Sequence, residues 1–411
     1  MNSMVLRNAT VITMSDPLGS SPQVSDVTLE NGRITGVGPK SPVPIGAQVM
    51  DLGGKFLLPG LIDAHCHITY SGGLIEEELR LTPHERVLRA SKNAFVTLLA
   101  GITTIRDPGG VDHMDIAVRN MINRGFLYGP RVLAGGQMIT ITGGHGWEYG
   151  LEADGPDAVR RAVREQIKAR SDWVKFMASG GFADVGEDPG AVQLDPDELT
   201  AGVNEAKKAG KRCAAHAHSA AAIKNAVVAE IDSVEHATAM EDDVIELIVA
   251  RGVHVVPTFS IYYKMKETGA KRGLDSSIVD LTKHWWNVKV DRFVKAYRAG
   301  VKVVAGTDNG SPMATHGDLT TELEVLVEVG LTPYEALKAA TTTSAQMLGL
   351  EQEIGTIESG KCADLVVLSE DPTKNVAATR MVEKVFRNGQ LYELGGSTIT
   401  LPAAPPMRIV Y

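Results

Sequence analysis

Between residues 56 and 308 the sequence repeats one unit: a short apolar run closing on a polar residue, then a helix-length amphipathic stretch. The runs are Phe56–His67, Thr103–Asp107, Arg131–Gly135, Trp173–Ser179, Arg212–His216, Ser233–His236, His254–Thr258 and Val301–Asp308. Helical periodicity marks Glu85–Ala100, Asp157–Ala169, Pro196–Ala209, Asp242–Arg251 and Val288–Ala299. Gly101, Gly210, Gly252 and Gly300 follow four of these stretches, where a left-handed helix end favours glycine. Eight strand–helix units over about 250 residues predict an α/β fold of the (β/α)8 TIM-barrel type. An open doubly wound sheet shares the texture, but the eightfold count and the polar run ends favour the barrel.

The two ends of the chain read differently. Met4–Met14, Asp26–Leu29, Arg33–Val37 and Gln48–Leu52 are short strand candidates broken by turns such as Glu30-Asn31-Gly32. Asp364–Ser369 and Met381–Arg387, followed by Asn388-Gly389, repeat that pattern. The expectation is a small β-sandwich domain built from residues 1–60 and 353–411, and a barrel domain over 61–352.

Charge and composition narrow the function. A formal net charge of −9 argues against a nucleic-acid partner. No apolar run approaches the roughly 18 residues that span a bilayer, so no membrane partner is expected. The N-terminus lacks the apolar core of a secretory signal. Three cysteines (Cys66, Cys213, Cys362) are too few and too scattered for a disulfide framework, and a cytoplasmic location is expected.

Chemistry gathers at the run ends, which in a TIM barrel form the catalytic face. His65 and His67 are two apart in an extended segment, so their imidazoles share a face and suit a divalent cation. Lys175 lies among bulky apolar neighbours in the fourth run. It reads either as a buried lysine paired with a carboxylate such as Asp308, or as a neutral amine converted to a carbamate. His216 and His236 end the fifth and sixth runs. His218 shares a face with His216, and spacing alone does not choose between them. Asp308 closes the eighth run as a ligand, a proton carrier or both.

This order of His-x-His, Lys, His, His and Asp resembles the binuclear amidohydrolase superfamily. Gly54-Lys55-Phe56-Leu57-Leu58-Pro59-Gly60-Leu61-Ile62-Asp63 and Ser359-Gly360-Lys361-Cys362-Ala363-Asp364 are similar to its flanking text. Val174–Gly181, Thr142-Gly143-Gly144-His145 and Val255-Val256-Pro257-Thr258 resemble the imidazolonepropionase-related branch. That branch includes dipeptidases and carboxypeptidases acting on Xaa-Pro or Xaa-basic dipeptides, and ochratoxin-type amide hydrolases.

The resemblance implies two zinc ions or similar divalent metals and a carboxylated Lys175. One metal would lie on His65, His67 and Asp308 and the other on His216 and His236, with attack by a metal-bridging hydroxide. It also favours His216 over His218. Asp308 is expected to carry the proton, and His145 to bond the carbonyl or the oxyanion. Tyr262, in a long loop spanning Phe259 to about Asn287, is expected to meet a substrate carboxylate. The expected partner is a small molecule carrying a C-terminal carboxylate, such as a dipeptide or N-acyl amino acid, and the chain is expected to form a homo-oligomer. A cyclic-amide hydrolase and a metal-free scaffold are the alternatives. Deamination is disfavoured, because superfamily deaminases lack the fourth-strand lysine.

Overall fold

In the computed structural model, residues 3–15, 22–39, 41, 43–182, 185–395 and 398–401 are described. The periodic middle forms parallel strands β1 (Leu61–Asp63), β2 (Ile102–Asp107), β3 (Arg131–Ala134), β4 (Trp173–Met177), β5 (Arg212–Ala217), β6 (Ser233–His236), β7 (His254–Val256) and β8 (Lys302–Val303). Each overlaps one of the eight apolar runs, with Ile102 and Ala217 one residue beyond them. β1 to β3 form one parallel ladder, and β4 to β8 form another that the short strand Ile139–Thr140 extends. Isolated backbone bonds cross the two seams. Asp172 N donates to Ala134 O at 2.7 Å and Ala64 N to Ala305 O at 3.0 Å. The ring is therefore completed by packing and single bonds rather than by a continuous ladder.

The barrel interior is filled by Ile62, Ala64, Trp173, Ala214, Val256 and Val304. Helices pack outside on apolar faces, as the periodicity requires. Pro83–Leu99, Pro156–Lys168, Pro196–Lys208 and Asp242–Arg251 lie within two residues of expectation. Pro196–Lys208 begins with Asp195 accepting from Glu198 N, a reciprocal cap that fixes where the helix starts.

The first apolar run divides at Gly60. Phe56–Pro59 pairs with the terminal strands, while Leu61–Asp63 enters the barrel. The terminal strands make one hydrogen-bonded sheet of nine strands, in which Phe56–Pro59 joins Ser3–Val11 to Leu365–Leu368. Its core mixes both chain ends, with Leu6, Val27 and Ile34 against Leu365, Val367 and Phe386. Both Asn-Gly turns take positive φ at both residues, Asn31 and Gly32 at 52° and 81°, Asn388 and Gly389 at 50° and 72°. That is the twist a tight hairpin needs.

The segment after β7 departs from the expected loop. Helices Phe259–Thr268 and Ser276–Arg298 occupy it. The second buries Ile278, Val279, Thr282, Lys289, Phe293 and Ala296, a helical stripe that a lysine interrupts in the sequence.

Candidate metal centre

The catalytic ends of β1 and β8 are tied together before any ligand is considered. The Asp63 carboxylate accepts from His65 N, Thr307 N and Thr307 Oγ1. His65 O accepts from Asp308 N at 2.7 Å, and His67 N donates to Asn309 O at 2.7 Å. Asp308 and His236 hold φ of 59° and 67°. Left-handed backbone is uncommon outside glycine and costs of order 1–3 kcal/mol, so it persists where surrounding structure enforces it. At His236 it breaks the strand alternation, and both Glu235 and His236 reach the barrel interior.

Hydrogen bonds fix which nitrogen each imidazole offers. His65 Nδ1 lies 2.6 Å from a Glu235 carboxylate oxygen and His67 Nδ1 lies 2.8 Å from Gly109 O. Those oxygens only accept, so each Nδ1 carries a proton and each Nε2 offers its lone pair when the ring is neutral. His216 is reversed: its Nε2 donates to Gly180 O at 3.0 Å, leaving Nδ1 free. His236 and His218 use Nδ1 on the hydroxyls of Thr258 and Thr238.

The candidate ligand atoms fall into two groups, His65 with His67 and Asp308, and His216 with His218 and His236. Within each group they lie within 4.8 Å of one another, and all six residues are buried. The His65 and His236 rings, 5.2 Å apart, bring the groups together. His218 is therefore as well placed for a cation as His216. Convergent imidazoles and a carboxylate with freed lone pairs are the donor set that zinc takes.

Electrostatics favour positive charge at the first group. Burial opposes ionisation of Asp308, but bonding to His67 and the nearby His65 hold its carboxyl well below the usual range. Burial also disfavours a charged His67, yet bonds to Asp107 and Asp308 push it up to about 9. His65 moves the other way, lowered to about 4 by burial and by Lys175. The difference has a cause: His65 also meets two carboxylates, Glu235 and Asp308, but Glu235 is already matched by Arg106 and Lys175 opposes a charge on the ring, whereas His67 meets Asp107 and Asp308.

Lys175 is 2% exposed and makes no hydrogen bond or ion pair among the described residues. The alternative reading, a lysine paired with Asp308, is therefore not what the structure forms. Burial lowers its ammonium to about 8, which raises the share of neutral amine.

Lys175 and both groups line one cavity. Met138, Met177, Phe182, Ile261 and Met265 form its apolar wall, with Glu78 and Glu148 also contributing. His145 lines it too, stacked on His216 at 4.3 Å and paired through Nδ1 with Glu187 at 2.6 Å. Tyr262 sits on a helix, 3% exposed, with its hydroxyl 3.3 to 3.4 Å from the His218 ring nitrogens. Three lysines of the same segment are paired with carboxylates: Lys264 with Asp318, Lys266 with Glu267 and Lys283 with Asp280. The sequence reading passed over Arg106 and Glu235, although an arginine inside the second apolar run was a visible signal.

Residues 56–392 match the profile described as "Amidohydrolase family". The chain belongs to the amidohydrolase family. It is similar to ochratoxinase of Aspergillus niger, 30% identical over 382 residues, covering 82% of this chain and 75% of the relative. Imidazolonepropionase of Sphingopyxis alaskensis is 26% identical, covering 88% and 90%. Among solved structures, a Xaa-Pro dipeptidase with bound methionine superposes with TM-score 0.88 at 28% identity, covering 96% of this chain and all of the other. A prolidase complexed with N-methylphosphonate-L-proline gives 0.89 at 28% identity, covering 96% and 100%. The amidohydrolase is thus an enzyme acting on C–N bonds, with the barrel and terminal sheet of its relatives. Among the described residues, no helix is long and apolar enough to cross a membrane.

Proposed function

We propose that this amidohydrolase uses two zinc ions to cleave an amide bond in a small substrate carrying a free carboxylate next to the scissile nitrogen. The carrying observation is the pair of three-residue ligand groups in one cavity with an unpartnered, buried Lys175. His65, His67 and Asp308 would hold one ion, His216 and His236 the other, and carboxylated Lys175 would be shared between them. Cations held there acidify a water and polarise the scissile carbonyl.

The protein's own groups supply the rest. Asp308, kept anionic by its two histidines, accepts the proton of the attacking water and delivers it to the leaving nitrogen, which otherwise departs poorly. His145, oriented by Glu187, lines the cavity beside His216, where it can bond the carbonyl or the oxyanion. Carbamate formation at Lys175 joins the neutral amine to carbon dioxide and releases one proton.

The substrate class draws on relatives named as an ochratoxinase and a Xaa-Pro dipeptidase. Tyr262 and His218 are the polar pair proposed to meet the substrate carboxylate, the tyrosine exchanging its long contact with His218 for that group. A hydrogen bond to a charged group contributes about 1.5–3 kcal/mol, or about one to two decades in kcat/KM. Amidating the C-terminus of a cleaved dipeptide or N-acyl amino acid should therefore cost at least about tenfold in kcat/KM, and Tyr262→Phe should erase much of that preference. Equal rates on acid and amide would rule out carboxylate recognition and turn attention to lactams and cyclic imides.

A further inference from the structure

One buried ionic cluster lies outside the proposed ligand set yet touches it. Arg106 on β2 and Glu235 on β6 have fully buried side chains. Arg106 uses every nitrogen: Nε donates to Ala64 O at 2.6 Å, Nη1 to Ser233 Oγ at 2.9 Å and Nη2 to Glu235 at 2.7 and 2.8 Å. Its guanidinium centre lies 4.6 Å from the Trp173 ring centroid. Ser233 Oγ donates to one Glu235 oxygen at 2.6 Å, and the other accepts from His65 Nδ1 at 2.6 Å.

We infer that Glu235, clamped by Arg106 and Ser233, is a positioning residue that fixes the tautomer and ring plane of His65 so that Nε2 faces His67 and Asp308. The inference rests on the two-zinc reading above. The neighbours supply its logic. A buried carboxylate standing alone would have nothing to hold its plane against His65, and a buried guanidinium standing alone would repel a cation. Paired, they are neutral overall, and the carboxylate keeps a strong acceptor on His65 without adding net charge to the barrel.

The arrangement is asymmetric. His67 and His216 are oriented by backbone carbonyls and His236 by a threonine hydroxyl. Partners of this outer kind are worth about 10–100-fold in metal affinity. Loss of Glu235 should therefore weaken one ion selectively, the one on His65, His67 and Asp308.

Two variants test this in the zinc-loaded enzyme. Glu235→Asp keeps the charge opposite Arg106 but withdraws the carboxylate from His65. The double variant Arg106→Met with Glu235→Gln removes both charges together. Stepwise chelator competition should show one zinc weakened about 10–100-fold and the other unchanged. Alongside this, kcat should fall while KM stays within about twofold. A purely structural ion pair would lower Tm and leave both zinc affinities as in the parent, and that result overturns the inference. A parent enzyme that fails to bind two ions contradicts the two-zinc reading instead.

Should neither variant fold, nitrogen-15 histidine spectra of the zinc-loaded parent decide. One imidazole N–H proton besides that of His145, which also lies 2.6 Å from a carboxylate and is assigned by its loss in His145→Ala, should lie clearly downfield of the rest. Its absence overturns the inference.

Discussion

Lys175→Ala should lose most bound metal and at least about a thousandfold in kcat/KM, equivalent to about 4 kcal/mol of transition-state stabilisation. The size follows from the position. Lys175 is buried in the cavity that both ligand groups line, and no described residue neutralises it through a contact. Truncation would remove the proposed shared carbamate, and with it two oxygens and a negative charge between two cations. The vacated space suits a small carboxylic acid, so acetate or propionate should partly restore both metal and rate. Full activity in Lys175→Ala would sink the bridging role. Metal content and kinetics measured on the same preparation separate this outcome from misfolding.

Asp308→Asn should behave differently, with kcat down about 10²–10⁴-fold and KM nearly unchanged, because positioned proton transfer acts in the transition state. The amide keeps the shape but cannot accept the proton of the attacking water. Ser311 Oγ, which donates to Asp308 at 2.7 Å, should still hold the side chain in place. Metal content should fall modestly, since His65, His67 and the carbamate remain. Complete metal loss would make Asp308 chiefly a structural ligand and would assign the proton to another group.

The fold was legible because most of the apolar runs close on a polar residue at the face where a barrel does chemistry, and such residues stand out against apolar neighbours. His65, His67, His216, His236 and Asp308 were picked out as candidates for that reason, and Lys175 because it interrupts an apolar run. What stayed hidden depends on contacts the linear order cannot display. Arg106 and Glu235 are 129 residues apart, and strand alternation places Glu235 opposite His236. The left-handed φ of His236, invisible in sequence, turns both inward. Helix Ser276–Arg298 was read only from Val288 onward, its first turns being taken as loop, and it carries Lys289 within its buried stripe. That lysine is accommodated by donating to His236 O at 2.5 Å and by lying over the Tyr262 and Phe259 rings. His218 could not be separated from His216 by spacing, and the fold brings both into one group.

The central claim is a two-ion site shared through Lys175, and metal stoichiometry tests it most directly. The chain, purified with zinc and bicarbonate, should approach two ions per protein in elemental analysis, with activity rising to its maximum as the second ion binds. Saturation at one ion with full activity would contradict the account.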